Sequence, residues 1–173
     1  MSIITLNGSP LHTIGTLPAV GAQAPDFTVT KTDLGELHLK DHLGQKVILN
    51  IFPSLDTPTC ASAMRHFNEI ASQLPNILIL CVSFDLPFAQ QRFCAAEHLK
   101  NVQPVSVFRH RSFGADYGVM IVDEPLAGLL SRAVVIIDEK GKVIYSEQVK
   151  ELSNEPDYTA MLAALKQSES ISH

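Results

Sequence analysis

Two mostly apolar runs, residues 46–52 (Lys-Val-Ile-Leu-Asn-Ile-Phe) and 77–84 (Ile-Leu-Ile-Leu-Cys-Val-Ser-Phe), bracket a stretch in which Met64, Phe67, Ile70, Ala71 and Leu74 recur at steps of three and four. Near-continuous apolar runs of this kind suit strands covered on both faces. The spacing between them is that of an amphipathic helix. Strand, helix, strand is the crossover unit that parallel pairing requires, so the chain is committed to a sheet with helices packed on it.

The rest of the chain extends that unit. Residues 3–6 and 11–14, separated by Asn7-Gly8-Ser9-Pro10, read as an N-terminal hairpin within about the first fifteen residues, because Asn-Gly supplies a positive-φ turn. Ala24-Pro25-Asp26-Phe27 leads into a short strand. A helix is expected over 87–99, a strand over 105–108 and a short helix over 113–117. Strands at 133–138 and 142–148 flank the turn Glu139-Lys140-Gly141, and a last helix at 156–167 is expected to start from Asn154 or Ser153. Residues 168–173 read as a frayed tail. No repeat or linker interrupts the pattern, which predicts a single domain over 1–173. A βαβ half followed by a β-hairpin and a helix is the thioredoxin-like arrangement, an α/β fold whose mixed central sheet is flanked by helices.

Charge and composition exclude several functions. Thirteen Lys+Arg against eighteen Asp+Glu give a net charge of 13 − 18 = −5, and Arg109-His110-Arg111 is the longest basic cluster, so no nucleic-acid partner is expected. The longest apolar stretches, 77–80 and 133–137, fall far short of the ~20 residues of a membrane span. The first twenty residues lack the basic start and apolar core of a secretory signal, so a cytoplasmic protein is expected. Three cysteines, Cys60, Cys81 and Cys94, form no CxxC pair and are too few for a disulfide framework. Cys94 and His98 stand at i, i+4, but no second pair with ligand spacing accompanies them. Neither a metal nor a cofactor is expected.

The segment 52–60, Phe-Pro-Ser-Leu-Asp-Thr-Pro-Thr-Cys, joins the first apolar strand to the first helix. Thr57 is a suitable N-cap and Pro58 a suitable first helical residue, which puts Cys60 at the third position. There the unpaired backbone N–H groups and the positive end of the helix dipole favour thiolate over thiol. An unpaired cysteine is more often a small packing residue, yet strand-to-helix corners of α/β folds are where sites gather. Cys60 is the candidate nucleophile. Cys81, inside the second apolar run, reads as core, and Cys60 and His66, six apart on the helix, do not form a local pair.

Pro53, Thr57 and Cys60 match Pro-x-x-x-Thr-x-x-Cys, and the segment resembles the active-site motif of the peroxiredoxins. With residues 85–94 (Asp-Leu-Pro-Phe-Ala-Gln-Gln-Arg-Phe-Cys) and 131–138 (Ser-Arg-Ala-Val-Val-Ile-Ile-Asp), it is similar to the thiol peroxidase subfamily, the atypical two-cysteine peroxiredoxins, from about residue 15 to 165. Thr59 departs from the valine more usual before the cysteine.

The resemblance implies a thiol-dependent peroxidase in which Cys60 attacks the peroxide and becomes a sulfenic acid. Thr57 and the Cys60 N–H would hold the peroxide oxygens, Pro53 would shield the sulfur, and Arg132 would stabilise the developing charge. Cys94, 34 residues on, is similar to the resolving cysteine that closes an intramolecular disulfide. Two cysteines on separate helices are not expected to start within the ~4.4–6.8 Å Cα separation a disulfide needs, so local unwinding is expected. Thioredoxin is the implied reductant and a homodimer the implied assembly. Phe52, Leu55 and Phe88 suggest an apolar surrounding suited to alkyl or lipid hydroperoxides. A redox sensor or chaperone using the same disulfide is the competing reading, separated by whether peroxide is consumed catalytically.

Overall fold

The computed structural model describes residues 1–171, with side chains as far as Glu169. A two-stranded hairpin, β1 (Ile3–Leu6) and β2 (Ser9–His12), precedes a seven-stranded sheet made of β3 (Thr28–Lys31), β4 (Glu36–His38), β5 (Lys46–Ile51), β6 (Ile77–Ser83), β7 (Gln103–Ser106), β8 (Ala133–Ile137) and β9 (Val143–Gln148). The strand order is β4-β3-β7-β6-β5-β8-β9. β5, β6 and β7 are parallel, and β3, β4, β8 and β9 join antiparallel, so the sheet is mixed. Helices α1 (Pro58–Gln73) and α2 (Pro87–Glu97) are the two crossovers; α3 (Ser112–Asp116) and α4 (Tyr158–Ile171) follow β7 and β9. The thioredoxin-like architecture expected from the pattern is present.

Side chains alternate along the central strands between two apolar layers, as the pleat requires. Val47, Leu49 and Ile51 of β5, Leu80 and Val82 of β6, and Ala133, Val135 and Ile137 of β8 face a layer closed by Phe27, Phe113 and Tyr117. Ile48, Ile79, Cys81, Val134 and Ile136 face the opposite layer, where Met64, Phe67 and Ile70 of α1 and Met161 and Leu165 of α4 cover them. Both layers exclude water, which is why these strands read as continuous apolar runs rather than as alternation.

Several boundaries differ from expectation for identifiable reasons. The hairpin loop has two residues, not four: Asn7 and Gly8 both take positive φ (50° and 87°), so β2 begins at Ser9 and Pro10 pairs with Thr5. β4 and a single 3-10 turn at Leu39–His42 escaped notice because they bury little besides Leu37 and Leu39. α2 stops at Glu97, where His98 adopts a left-handed cap (φ 56°). β7 and α3 lie one or two residues earlier than expected. α4 is started by neither Asn154 nor Ser153 but by Asp157, whose Oδ1 accepts from the Ala160 N–H at 3.0 Å. It continues to Ile171 through most of the segment expected to fray; residues 172–173 of that segment lie outside the described residues.

The hairpin forms a small third core in which Ile4 and Leu11 pack on Ile121 and Leu152, with Leu6 and Leu126 at its edge. It is tied to the loop after β9 by backbone bonds from Thr5 N to Lys150 O (2.7 Å) and from Leu152 N to Thr5 O (2.8 Å).

Gly118 is the tightest backbone approach: it has φ +69°, and a Cβ there would collide with the backbone of Thr16. Gly118→Ala should therefore lower stability by about 3 kcal/mol or more in a urea titration. Gly128→Ala, with φ +94° but open space around it, should lose only about 1–2 kcal/mol from the left-handed backbone.

Candidate active site

The corner between β5 and α1 is organised by short polar contacts. The Thr57 hydroxyl accepts from the Cys60 N–H at 3.3 Å and donates to the Ser54 carbonyl at 3.1 Å, and Pro58 opens the helix. Asp85, just past β6, braces the loop from the other side. Its carboxylate accepts from Ser54 Oγ (2.8 Å), the Leu55 N–H (2.8 Å) and Ser83 Oγ (2.7 Å). Cys60 sits in the first turn of α1, fully buried in the layer that contains Phe52, Leu55 and Met64.

Arg132 arrives by strand register. Ile51 pairs with Ala133 across the antiparallel β5–β8 ladder, so the residue before β8 falls beside Phe52 and the start of the loop. Its guanidinium is almost wholly enclosed, at 2 % exposure. Nε and Nη2 both donate to the Leu152 carbonyl, at 3.0 and 2.8 Å, while Nη1 is buried without a hydrogen-bond partner. An unpaired buried donor costs about 1–3 kcal/mol and in a native fold calls for an explanation.

A cavity of about 250 Å³ opens on this group. Thr57, Thr59 and Arg132 contribute its polar lining; Pro53, Leu6, Leu126, Leu129 and Leu152 contribute its apolar wall. The apolar surrounding expected of Phe52, Leu55 and Phe88 is thus supplied by other residues. Phe52 and Leu55 are buried in the core behind the loop, and Phe88 points outward at 69 % exposure. The wall comes from the hairpin, the 126–129 loop and the loop after β9, all distant in sequence from Cys60.

Cys94 lies elsewhere, half-buried on α2 in a separate cavity of about 300 Å³ lined with Thr32, Gln91, His98, Gln103 and Pro104. All three thiols are free. Burial pushes the Cys94 thiol up to about 11 and the fully buried Cys81 up to about 12, where a hydrogen bond from Asn50 at 3.7 Å only partly offsets it. Cys81 is core, as its strand position implied. His66 turns away from the corner and stacks on Tyr158 of α4, with ring centroids 3.8 Å apart. Among the described residues, no three His, Cys, Asp or Glu side chains are grouped to hold a metal ion.

The redoxin family model matches residues 19–162. The chain is 54% identical over 165 residues to a thiol peroxidase of Mycobacterium tuberculosis, covering 95% of this chain and 99% of that one. It is 52% identical to a thiol peroxidase of Corynebacterium glutamicum, over 91% and 95% of the two chains. The chain belongs to the thiol peroxidases of the redoxin family. Its fold matches the crystal structure of a peroxiredoxin-like protein from Aquifex aeolicus with a TM-score of 0.89 at 37% identity, over 96% and 97% of the two chains. It is a peroxiredoxin-type enzyme, as the motif around Cys60 implied.

Within this thiol peroxidase, sequence reading named Pro53, Thr57 and Arg132 of the cavity but neither its leucine wall nor what orients Arg132. The Leu152 carbonyl that anchors Arg132 is a backbone group with no side-chain signature. Asp85 stood inside a quoted motif without a role; an acidic residue directly after an apolar strand, opposite the Ser54 loop, was the available signal.

Thr57→Val removes both hydroxyl contacts and should slow the single-turnover reaction with peroxide by at least tenfold, with loss of about 1 kcal/mol of stability from the cap. Thr57→Ser keeps both contacts and should stay within about threefold of the parent rate. Stopped-flow oxidation of the two variants checks the pair.

Proposed function

We propose that Cys60 is the peroxidatic nucleophile of a thioredoxin-dependent hydroperoxide reductase acting on hydrogen peroxide and on organic hydroperoxides. The observation that carries this reading is the unpaired, buried Nη1 of Arg132 at the cavity that reaches the capped first turn of α1. A donor left open in a dry site serves an incoming oxygen on which negative charge develops.

In the first step the Cys60 sulfur attacks the terminal oxygen of ROOH, the O–O bond breaks, and ROH leaves as Cys60 becomes the sulfenic acid. The Thr57 contacts with Cys60 N–H and Ser54 O are long, at 3.3 and 3.1 Å, and can be exchanged for contacts to the peroxide oxygens. Pro53, buried at the cavity wall, keeps bulk water from the sulfur. The leucine wall suits the carbon chain of an alkyl or lipid hydroperoxide.

In the second step the Cys94 thiol condenses with the sulfenic acid, forming a disulfide and releasing water. Cys94 lines a different cavity, and burial holds its thiol protonated near neutral pH, so it is a poor nucleophile where it rests. Unwinding the start of α1 and the end of α2 would bring the sulfurs together and return Cys94 to water, where its thiolate forms more readily. A thioredoxin dithiol then reduces the disulfide, regenerating both thiols and leaving oxidised thioredoxin. Exposed Leu86 and Phe88 at the start of α2 offer apolar surface for the reductant or for a second copy in a homodimer. The chain over 1–173 acts as one domain, and its three free thiols suit a reducing compartment such as the cytoplasm. No described helix is long and apolar enough to cross a membrane.

Cys60→Ser should abolish peroxide turnover with the fold unchanged by circular dichroism; retention of more than a few per cent of the parent rate would remove Cys60 from the mechanism. Cys94→Ser should be oxidised once by one equivalent of peroxide, read by peptide mapping, and should fail to recycle with thioredoxin and its reductase.

Hydrogen exchange tests the movement. Amides at 59–67 and 88–99 should lose protection in the oxidised protein, while those of β6 should keep it. Equal protection in both redox states would mean that the disulfide forms without unwinding.

A further inference from the structure

The carboxylate of Glu151 is the most heavily bonded side chain near the cavity, and the reaction as described gives it no task. It accepts five hydrogen bonds from two directions. From the hairpin come Thr5 Oγ1 (2.9 Å), the Asn7 N–H (3.1 Å) and the Gly8 N–H (2.9 Å). From its own loop come the Ser153 N–H (2.9 Å) and Ser153 Oγ (2.7 Å). Three of the five donors are backbone amides, two of them in the positive-φ turn of the hairpin.

What this carboxylate fixes is the backbone at 152–153, and the two carbonyls of that backbone are the anchors of the site. Leu152 O receives both Nε and Nη2 of Arg132. Ser153 O receives the Thr59 hydroxyl at 3.1 Å, tying down the residue just before Cys60. A guanidinium held by two bonds to one carbonyl points wherever that carbonyl points. The direction of Nη1 is therefore set by the loop and not by Arg132 alone.

We propose that Glu151 is a positioning residue for the peroxide step, acting through the Leu152 carbonyl to aim Arg132. The inference rests on the peroxidase reading given above. Glutamine at this position keeps the size of the side chain but turns one terminal oxygen into a donor. Whichever way the amide is rotated, its NH2 faces donors, either Thr5 and Gly8 or Asn7 and Ser153, and one half of the clip is lost. Small displacements of a catalytic group are costly, which is why an indirect contact of this kind can be read in a rate.

The test is a double-mutant cycle on the full chain, comprising the parent, Glu151→Gln, Arg132→Met and the double variant. The second-order rate constant for Cys60 oxidation by hydrogen peroxide is measured in single turnover. Glu151→Gln should slow the parent about tenfold and should change the Arg132→Met protein by less than about twofold, because a misaimed guanidinium matters only where there is one. A merely structural role for Glu151 predicts the same loss in both backgrounds, and that result, or no loss in the parent background, overturns the proposal. If Glu151→Gln does not fold, Ser153→Ala takes its place: it deletes one donor to the clip and should slow the parent about threefold, with no effect beside Arg132→Met. A rate unchanged by Ser153→Ala would then overturn it. Arg132→Met with the parent rate would instead overturn the reading of the site itself, a result distinct from failure of the Glu151 coupling.

Discussion

Between the end of β5 and the start of α1 the chain has only residues 52–57 in which to convert a fully paired strand into a helix whose first amides have no partners. The placement of Cys60 follows from how that is done. Thr57 satisfies one orphan amide, that of Cys60, and spends its own proton on Ser54, so that a single hydroxyl closes the turn. Asp85, just past β6, then fixes Ser54 and Leu55, which ties the loop to the end of the neighbouring central strand rather than leaving it a free connection. The cysteine is delivered to the amino end of a helix, inside the core layer, and Thr57, Pro58 and Thr59 of the same turn line the cavity.

The three thiols share one fold but not one environment. Cys81 is enclosed by strands and sits beside Asn50, Cys94 lies half-buried on a helix flank, and Cys60 occupies a helix start. Burial acts on the first two in the same direction, keeping both protonated well above neutral pH. Position along an element, and not the residue type, thus sets the surroundings of each thiol.

The sequence was most legible where periodicity was strong. β5, α1 and β6 could be placed to within a residue or so because each buries a continuous face, and Thr57-Pro58 marked the helix start without ambiguity. α4 was placed correctly but capped wrongly, since Ser153, Asn154 and Asp157 are all cap-forming residues and only the geometry selects Asp157. The short β4 carried too little buried surface to leave a pattern. In the site, Cys60, Thr57, Pro53 and Arg132 were found as side chains in motifs. The leucine wall was not, because proximity in sequence pointed to Phe52, Leu55 and Phe88 whereas folding brings in Leu6, Leu126, Leu129 and Leu152. Glu151 acts on backbone groups, and a carbonyl that anchors an arginine leaves no mark in the order of side chains.

The clip at Glu151 also bears on the order in which the molecule is assembled. It joins residues 143 to 146 positions apart in the chain, the kind of contact that is made late because so much intervening chain must be organised first. During synthesis the hairpin emerges well before residue 151, so the clip can close only after the sheet is in place. By then α1 has long been available, but a chain that ends before residue 132 lacks both Arg132 and the Leu152 that anchors it and lines the cavity. Leu6 and Leu152 line the same cavity, so the pocket is completed only once the loop after β9 has docked on the hairpin.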